Sequence, residues 1–415
     1  MAQLPARGPK NLSYCGRCGS CSGRNGHQGM KIAQEREHLP LLIPDMPSPQ
    51  ELLPWLERMH AARQYANFGP LVRELEAAFA HRFGMASEQL TTVANATQGL
   101  ELALQALDLP ASSHVLIPAL TFVATATAVV RAGHRPVLAD VDAQTWMLSP
   151  EIARTARECM RIDAVLPVAT FGMPHDMQAW QQFERDTGLP VIIDAAAAYG
   201  SQWLQGAEGT LVFSLHTTKS LPAGEGGLVV STRPGLAARV RQLSNFGINL
   251  DPAANMPVGA LASLGSNAKM SEYHAAICLI SLQKWELHAQ KRRELQTDLM
   301  HELDQASGYN LTWQAQGPGG PLMAPTLLCA RQPDAEVRVM LEQACQQANI
   351  MTRRWYQPLL QHMDVLQKRC LSLDMPNVMD LEQTLLGLPF FLGMAQQQRL
   401  RLCAVVAKTM GSLGQ

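Results

Sequence analysis

The chain has 415 residues, 47% hydrophobic and 17% charged, with a formal net charge of −1. That length predicts two domains, and the balanced charge gives no footing for a nucleic-acid partner or an anionic membrane surface. No apolar run is long enough to cross a bilayer, and the N-terminus has no apolar signal core, so a cytoplasmic enzyme is expected.

First in chain order is "CGRCGSCSGRNGH", where Cys15, Cys18, Cys21 and His27 form two overlapping C-x2-C steps and a histidine. Four such ligands could hold zinc. The segment is also Gly/Ser-rich and basic, without a second apolar cluster to pack around a metal, and it reads as a disordered extension over residues 1–30. Met30 stands three residues beyond His27. The other six cysteines are scattered among apolar neighbours, as buried reduced thiols are.

From Leu39 the chain reads as folded. "LLPWLERMHAARQY" predicts a helix that gives way at Asn67-Phe68-Gly69-Pro70, and "PLVRELEAAFAHRFG" a second, starting at Pro70 and stopping at Gly84. Seven apolar runs follow, at 91–94, 114–118, 136–140, 164–168, 190–194, 211–215 and 228–231. Helical patterns separate most of them; Leu100, Ala103, Leu104 and Leu107 recur at i, i+3, i+4 and i+7. Continuous apolar strands spaced by helices predict an α/β domain whose largely parallel sheet is buried on both faces. That domain is expected over 31–285. A long helix beyond Trp285 then leads into a smaller α+β domain over 286–415, with a strand in "APTLLCA", an amphipathic helix in "AEVRVMLEQACQQAN" and a last helix near 393–410.

Open α/β sheets bind ligands outside the carboxyl ends of their strands. After the first run stand Asn95-Ala96-Thr97, which offer free amides and a hydroxyl to a phosphate, or merely a helix cap. After the second stands Phe122, a core aromatic or a ring that stacks on a flat ligand. The fifth ends in Asp194, a buried carboxylate that needs a salt bridge, a cap to fill, or the protonated nitrogen of a bound heterocycle. The sixth ends in Ser214 and leads to Lys219, with Gly224-Glu225-Gly226-Gly227 beyond. A Walker loop has its glycines before the lysine, and no G-x-G-x-x-G opens a helix here, so both nucleotide-loop readings fail. A desolvated lysine has a lowered pKa and forms a Schiff base with an aldehyde. Phosphate cup, ring-nitrogen carboxylate and Schiff-base lysine are together the anchors pyridoxal phosphate requires.

The segments "NFGPLVRELE", "NATQGLELAL", "PALTFVATATAVVRAGHRPVLADVD", "VIIDAAAAYGS", "FSLHTTKSLPAGEGG", "GSNAKMSEYHAAI", "RRWYQPL" and "LGLPFF" resemble the DegT/DnrJ/StrS family of PLP-dependent sugar aminotransferases, from about Leu39 to the end. The resemblance implies the fold type I, aspartate-aminotransferase-like architecture: a large domain with a mostly parallel seven-stranded sheet and a smaller C-terminal α+β domain. It implies Lys219 as the Schiff-base and proton-shuttling lysine, Asp194 at the pyridinium, Phe122 on the ring, and Ala96, Thr97 and Ser214 at the phosphate. Asn267 would reach the phosphate from a neighbouring subunit, so that the site is shared across a homodimer interface. His216, Glu225 and Tyr356 are candidates for the substrate side. Two positions depart from the family pattern: Ala197 stands where Gln or His is usual near the cofactor's ring oxygen, and Ala96 stands where glycine is usual. A dehydrating branch has histidine in place of the lysine, so Lys219 favours transamination.

The reaction implied moves an amino group from glutamate to a keto group of a nucleotide-linked sugar, for amino-sugar or surface-polysaccharide synthesis. The alternatives are a non-nucleotide keto sugar or cyclitol as acceptor, and a non-catalytic homologue of the same fold.

Overall fold

The structure is a computed structural model and describes residues 37–411. Cys15, Cys18, Cys21, His27 and the extension over 1–30 lie outside them. Among the described residues the α-helices are α1 (Pro49–Ala62), α2 (Pro70–Phe83), α3 (Ala96–Gln105), α4 (Val123–Arg131), α5 (Pro150–Cys159), α6 (Met177–Thr187), α7 (Leu236–Ser244), α8 (Glu272–Ser307), α9 (Ala335–Gln347), α10 (Asp364–Gln367), α11 (Pro376–Thr384) and α12 (Gln396–Gly411). The strands are β1 (Leu90–Val93), β2 (His114–Pro118), β3 (Arg135–Ala139), β4 (Ala164–Val165), β5 (Ile193–Asp194), β6 (Thr210–Ser214), β7 (Gly227–Ser231), β8 (Thr312–Trp313), β9 (Leu328–Arg331), β10 (Leu371–Ser372) and β11 (Leu385–Leu388). Two of the predicted helix limits have visible local causes. Pro70 occupies the first turn of α2, and Gly84 ends it in the left-handed conformation at φ 62°.

Two ladders, β1-β7-β6-β5 and β10-β3-β2-β4, are joined through the parallel bridges Val165↔Val191 and Val168↔Asp194. The order across the sheet is therefore β10-β3-β2-β4-β5-β6-β7-β1. Every neighbouring pair is parallel except the two made by β7. The seven predicted strands are all present, and β10 adds a short strand at the β3 edge that apolar patterning does not predict. Successive residues serve opposite faces: Leu211 and Phe213 enter one apolar cluster with α2, α5, α6 and the start of α8, while Val212 enters another with α3, α4 and α7. Both faces are dry, which accounts for the unbroken apolar runs.

The 36-residue helix α8 serves two cores. Ala275, Ala276, Cys278 and Leu279 pack under the large sheet, and Leu299 and Leu303 pack in a third cluster with β9, β11, α9 and α12. The antiparallel sheet β11-β9-β8 forms the frame of that C-terminal region. Two segments cross between the regions. Leu39 pairs with Ile350 and joins the third cluster. In the other direction, residues 359–385 bury Leu359, Leu360, Val378 and Leu381 against the large sheet, where the Asp140 carboxylate caps α11 by accepting from Asn377 N at 3.1 Å and Val378 N at 2.8 Å.

Candidate active site

Parallel pairing brings the carboxyl ends of β2, β4, β5 and β6 to one edge of the sheet, together with the turn from β1 into α3. The candidate residues of four separate stretches stand at that edge: Ala96 and Thr97, Phe122, Asp194, and Ser214 with the loop that carries Lys219. Between β6 and β7 the chain folds into a tight loop: Leu215 N donates to Gly226 O at 2.9 Å, Thr217 N to Gly224 O at 2.9 Å, and Lys219 N to His216 O at 2.9 Å. This loop turns Lys219 back over the sheet edge towards Asp194. Lys219 is half-buried; desolvation pushes its pKa below the ordinary lysine value, and the Asp194 carboxylate partly offsets this.

Asp194 is 4% exposed. Its Oδ2 accepts from Thr125 Oγ1 at 2.8 Å and its Oδ1 from Ala196 N at 3.1 Å, and Thr125 in turn meets Thr121 Oγ1 at 2.8 Å. Burial pushes the carboxyl pKa up, while Thr125, Ala196 and the charge of Lys219 pull it down. Each oxygen has one protein donor and a remaining lone pair, so a cationic N–H arriving here meets an oriented acceptor.

The turn before α3 forms an anion cup. Asn95 Oδ1 caps the helix by accepting from Gln98 N at 2.9 Å. That leaves the amides of Ala96 and Thr97, and the Thr97 hydroxyl, without a hydrogen-bond partner among the described residues. Ser214 Oγ accepts from His216 N at 3.2 Å, so its own proton is free to donate. Gly227 holds the two halves together, because a Cβ there would stand 2.8 Å from Asn95 C and 2.9 Å from Ala96 N. A helix N-terminus with free amides, two hydroxyls and a glycine-sized gap fits a phosphate.

Phe122 sits before α4 at the cleft and is 52% exposed, although Thr121 before it is buried. Tyr356 faces it from the C-terminal region with ring centres 6.3 Å apart, and lies flat on Phe171 at 5.6 Å and 23°. His216 and Glu225 are on the rim and pair with each other at 3.7 Å. Asn267 is exposed and accepts from Lys269 Nζ at 2.7 Å; its neighbour Ala268 accepts from Ala94 N at 2.6 Å, which ties this segment to the lip of the cup.

Patterning alone overlooked Thr125 and Thr121. The signal was available: in "TFVAT" the two threonines stand four apart at the start of a helix, so their hydroxyls share a face beside Phe122. Arrangements able to hold a metal, by contrast, do not occur among the described residues, and no described helix is long and apolar enough to cross a membrane.

The site as built offers a desolvated amine, a buried carboxylate for a ring nitrogen, an anion cup and an aromatic cover, the set that holds pyridoxal phosphate. The model of the DegT/DnrJ/EryC1/StrS aminotransferase family matches residues 50–407. Among solved structures, DesI in the presence of its TDP-sugar product superposes with a TM-score of 0.78 at 26% identity, covering 91% of this chain and 95% of that one. NtdA from Bacillus subtilis with bound cofactor PMP shares the fold, with a TM-score of 0.77 at 20% identity over 91% and 87% of the two chains. So does 3-amino-5-hydroxybenzoic acid synthase, with a TM-score of 0.74 at 24% identity over 89% and 99%.

Proposed function

From the premise that this chain belongs to the DegT/DnrJ/EryC1/StrS aminotransferase family, and is a pyridoxal-phosphate-dependent aminotransferase, we propose that it moves an amino group from glutamate to the keto group of a nucleotide-linked sugar. The observation that carries this reading is the likeness to DesI over nearly the whole of both chains, since that neighbour was solved with a TDP-sugar product. Amino-sugar or surface-polysaccharide synthesis would consume the product.

Pyridoxal phosphate, when bound, supplies an aldehyde to carry the amino group and a ring that withdraws electrons from the substrate carbon. The residues of this chain do the remainder. Lys219 Nζ, favoured in its neutral form by desolvation, would hold the aldehyde and would serve as the group that moves a proton at the substrate carbon. Asp194, oriented by Thr125, keeps a positive charge at the ring nitrogen. Ala96 N, Thr97 and Ser214 would hold the phosphate, and Phe122 would cover the ring. His216, Glu225 and Tyr356 line the approach of the substrate.

Asn267 completes the phosphate contacts of a second copy in this reading. Around it Phe246, Leu261 and Leu264 are 47%, 60% and 87% exposed, an apolar surface that a homodimer would cover.

The test is spectroscopic and then chemical. Protein supplied with pyridoxal phosphate should show a visible band that borohydride bleaches and glutamate shifts, and Lys219→Ala should lack it. A panel of nucleotide keto-sugars, a free keto sugar and a keto-cyclitol then assigns the acceptor. A colourless wild type sinks the reading; turnover only on the free acceptors sinks its nucleotide part.

A further inference from the structure

After Asp194 come Ala195, Ala196, Ala197 and Ala198, four side chains with no hydrogen-bonding group. Pyridoxal phosphate has a phenolic oxygen beside its aldehyde, and a bound ring oxygen that carries negative charge needs a donor. The groups already placed are occupied: Thr125 and Ala196 N serve Asp194, and Ser214 and Thr97 serve the phosphate cup.

One hydroxyl approaches from the C-terminal region. The Tyr356 ring stacks on Phe171, which the chain holds at φ 56° and ψ 18°. A left-handed conformation is costly for a bulky residue, and such strain clusters at functional sites. The next residue, Gly172, packs so closely on the alanine run that a Cβ there would stand 2.7 Å from Ala197 O. Tyr356 is thereby fixed against the alanine side of the cleft, with the ring of Phe122 on its other flank. Its hydroxyl makes no hydrogen bond among the described residues, whereas that of Tyr65 pairs with His60 at 3.0 Å. Burial, with smaller contributions from Cys329 and Asp194 and against the opposing charge of Arg353, raises the Tyr356 pKa and keeps its proton in place as a donor.

We propose that Tyr356 Oη donates a hydrogen bond to the ring oxygen of bound pyridoxal phosphate, replacing from the C-terminal region a donor that the alanine run lacks. This rests on the cofactor placement given above. Such a donor stabilises the ring oxygen as an anion and so lowers the proton affinity of the nitrogen bound to the aldehyde. Removing it should raise that nitrogen's pKa.

Wild type, Tyr356→Phe and the double variant Tyr356→Phe with Ala197→Gln are loaded with pyridoxal phosphate, and the visible band of each is titrated against pH. Cofactor affinity is measured in parallel by equilibrium dialysis. In Tyr356→Phe the midpoint should rise by about one unit, with a several-fold weaker affinity; in the double variant the glutamine should bring the midpoint back towards wild type. A normal wild-type band that Tyr356→Phe leaves unchanged overturns this inference alone, while a wild type with no band overturns the cofactor placement as well. Should Tyr356→Phe also unfold more easily without cofactor, the double variant decides: recovery of the midpoint supports the hydrogen bond, and no recovery overturns it.

Discussion

Glu272, at the start of α8, presses its carboxylate against Gly69, at the entry to α2. It accepts from Leu71 N at 2.8 Å and Val72 N at 2.9 Å, and a Cβ on Gly69 would stand 2.5 Å from Glu272 Cδ. A glutamate fully buried in the fold thus caps a helix distant in sequence, and the absent side chain of Gly69 makes the space. Glu272→Ala should destabilise the protein by about 2–4 kcal/mol, because two first-turn amides lose a charged acceptor away from water. Gly69→Ala should cost about 1–3 kcal/mol by overpacking. Urea unfolding followed by circular dichroism measures both, and a wild-type midpoint for either variant would show that the contact carries no net stability.

Thr125→Val tests the orientation of Asp194 without changing side-chain shape much. The carboxylate would retain only Ala196 N, at 3.1 Å, as a donor. Loss of one hydrogen bond to a charged group should weaken pyridoxal phosphate binding about tenfold, near 1.4 kcal/mol. Equilibrium dialysis reads the constant directly; unchanged affinity would mean that Asp194 is oriented without its threonine.

Gly227→Ala separates the phosphate from the rest of the cofactor. The new methyl would press on Asn95 and Ala96 and displace the first turn of α3. Affinity for pyridoxal phosphate should fall by about tenfold or more, while affinity for pyridoxal, which lacks the phosphate, should change little. Equal losses for both ligands would place the phosphate elsewhere.

His175 predicts an acid limit to stability. The ring is 3% exposed; Nε2 donates to Val168 O at 2.9 Å and Nδ1 accepts from Trp180 Nε1 at 3.2 Å, so the neutral form satisfies both partners. Burial lowers its pKa from 6.5 to about 4. In that window the unfolded chain binds the proton that the native chain refuses, so stability is full above the unfolded value and falls as pH drops towards the folded one, by about 3 kcal/mol. Chemical unfolding at several pH values should show this slope, and His175→Gln should flatten it. A slope the same in the variant would assign the acid sensitivity to other groups.

Much of the site could be read from residues one at a time. Asp194 and Ser214 are polar side chains at the ends of apolar runs, and Lys219 is a lone cation in the loop just beyond one, where burial makes a polar group conspicuous. Thr125 escaped because threonine in the first turn of a helix is ordinary, and only its contact with Asp194 gives it a role. The strand β10 escaped for a different reason. Its Leu371-Ser372 pair is too short to have a period and is held as a strand by pairing with Val137 and Leu138.

By itself the sequence determined the alternation of buried strands and amphipathic helices, and the chemical types at the strand ends. Both follow from local rules: apolar periodicity selects the element, and a lone charge or hydroxyl beside a dry core has few stable uses. Only the tertiary structure decided which of those residues meet. Parallel pairing through β4 and β5 set Asp194 beside the loop of Lys219. The return of the C-terminal region onto the large sheet brought Tyr356 to Phe171 and Phe122. Those meetings depend on strand order and on packing between residues far apart in the chain, which no local pattern encodes.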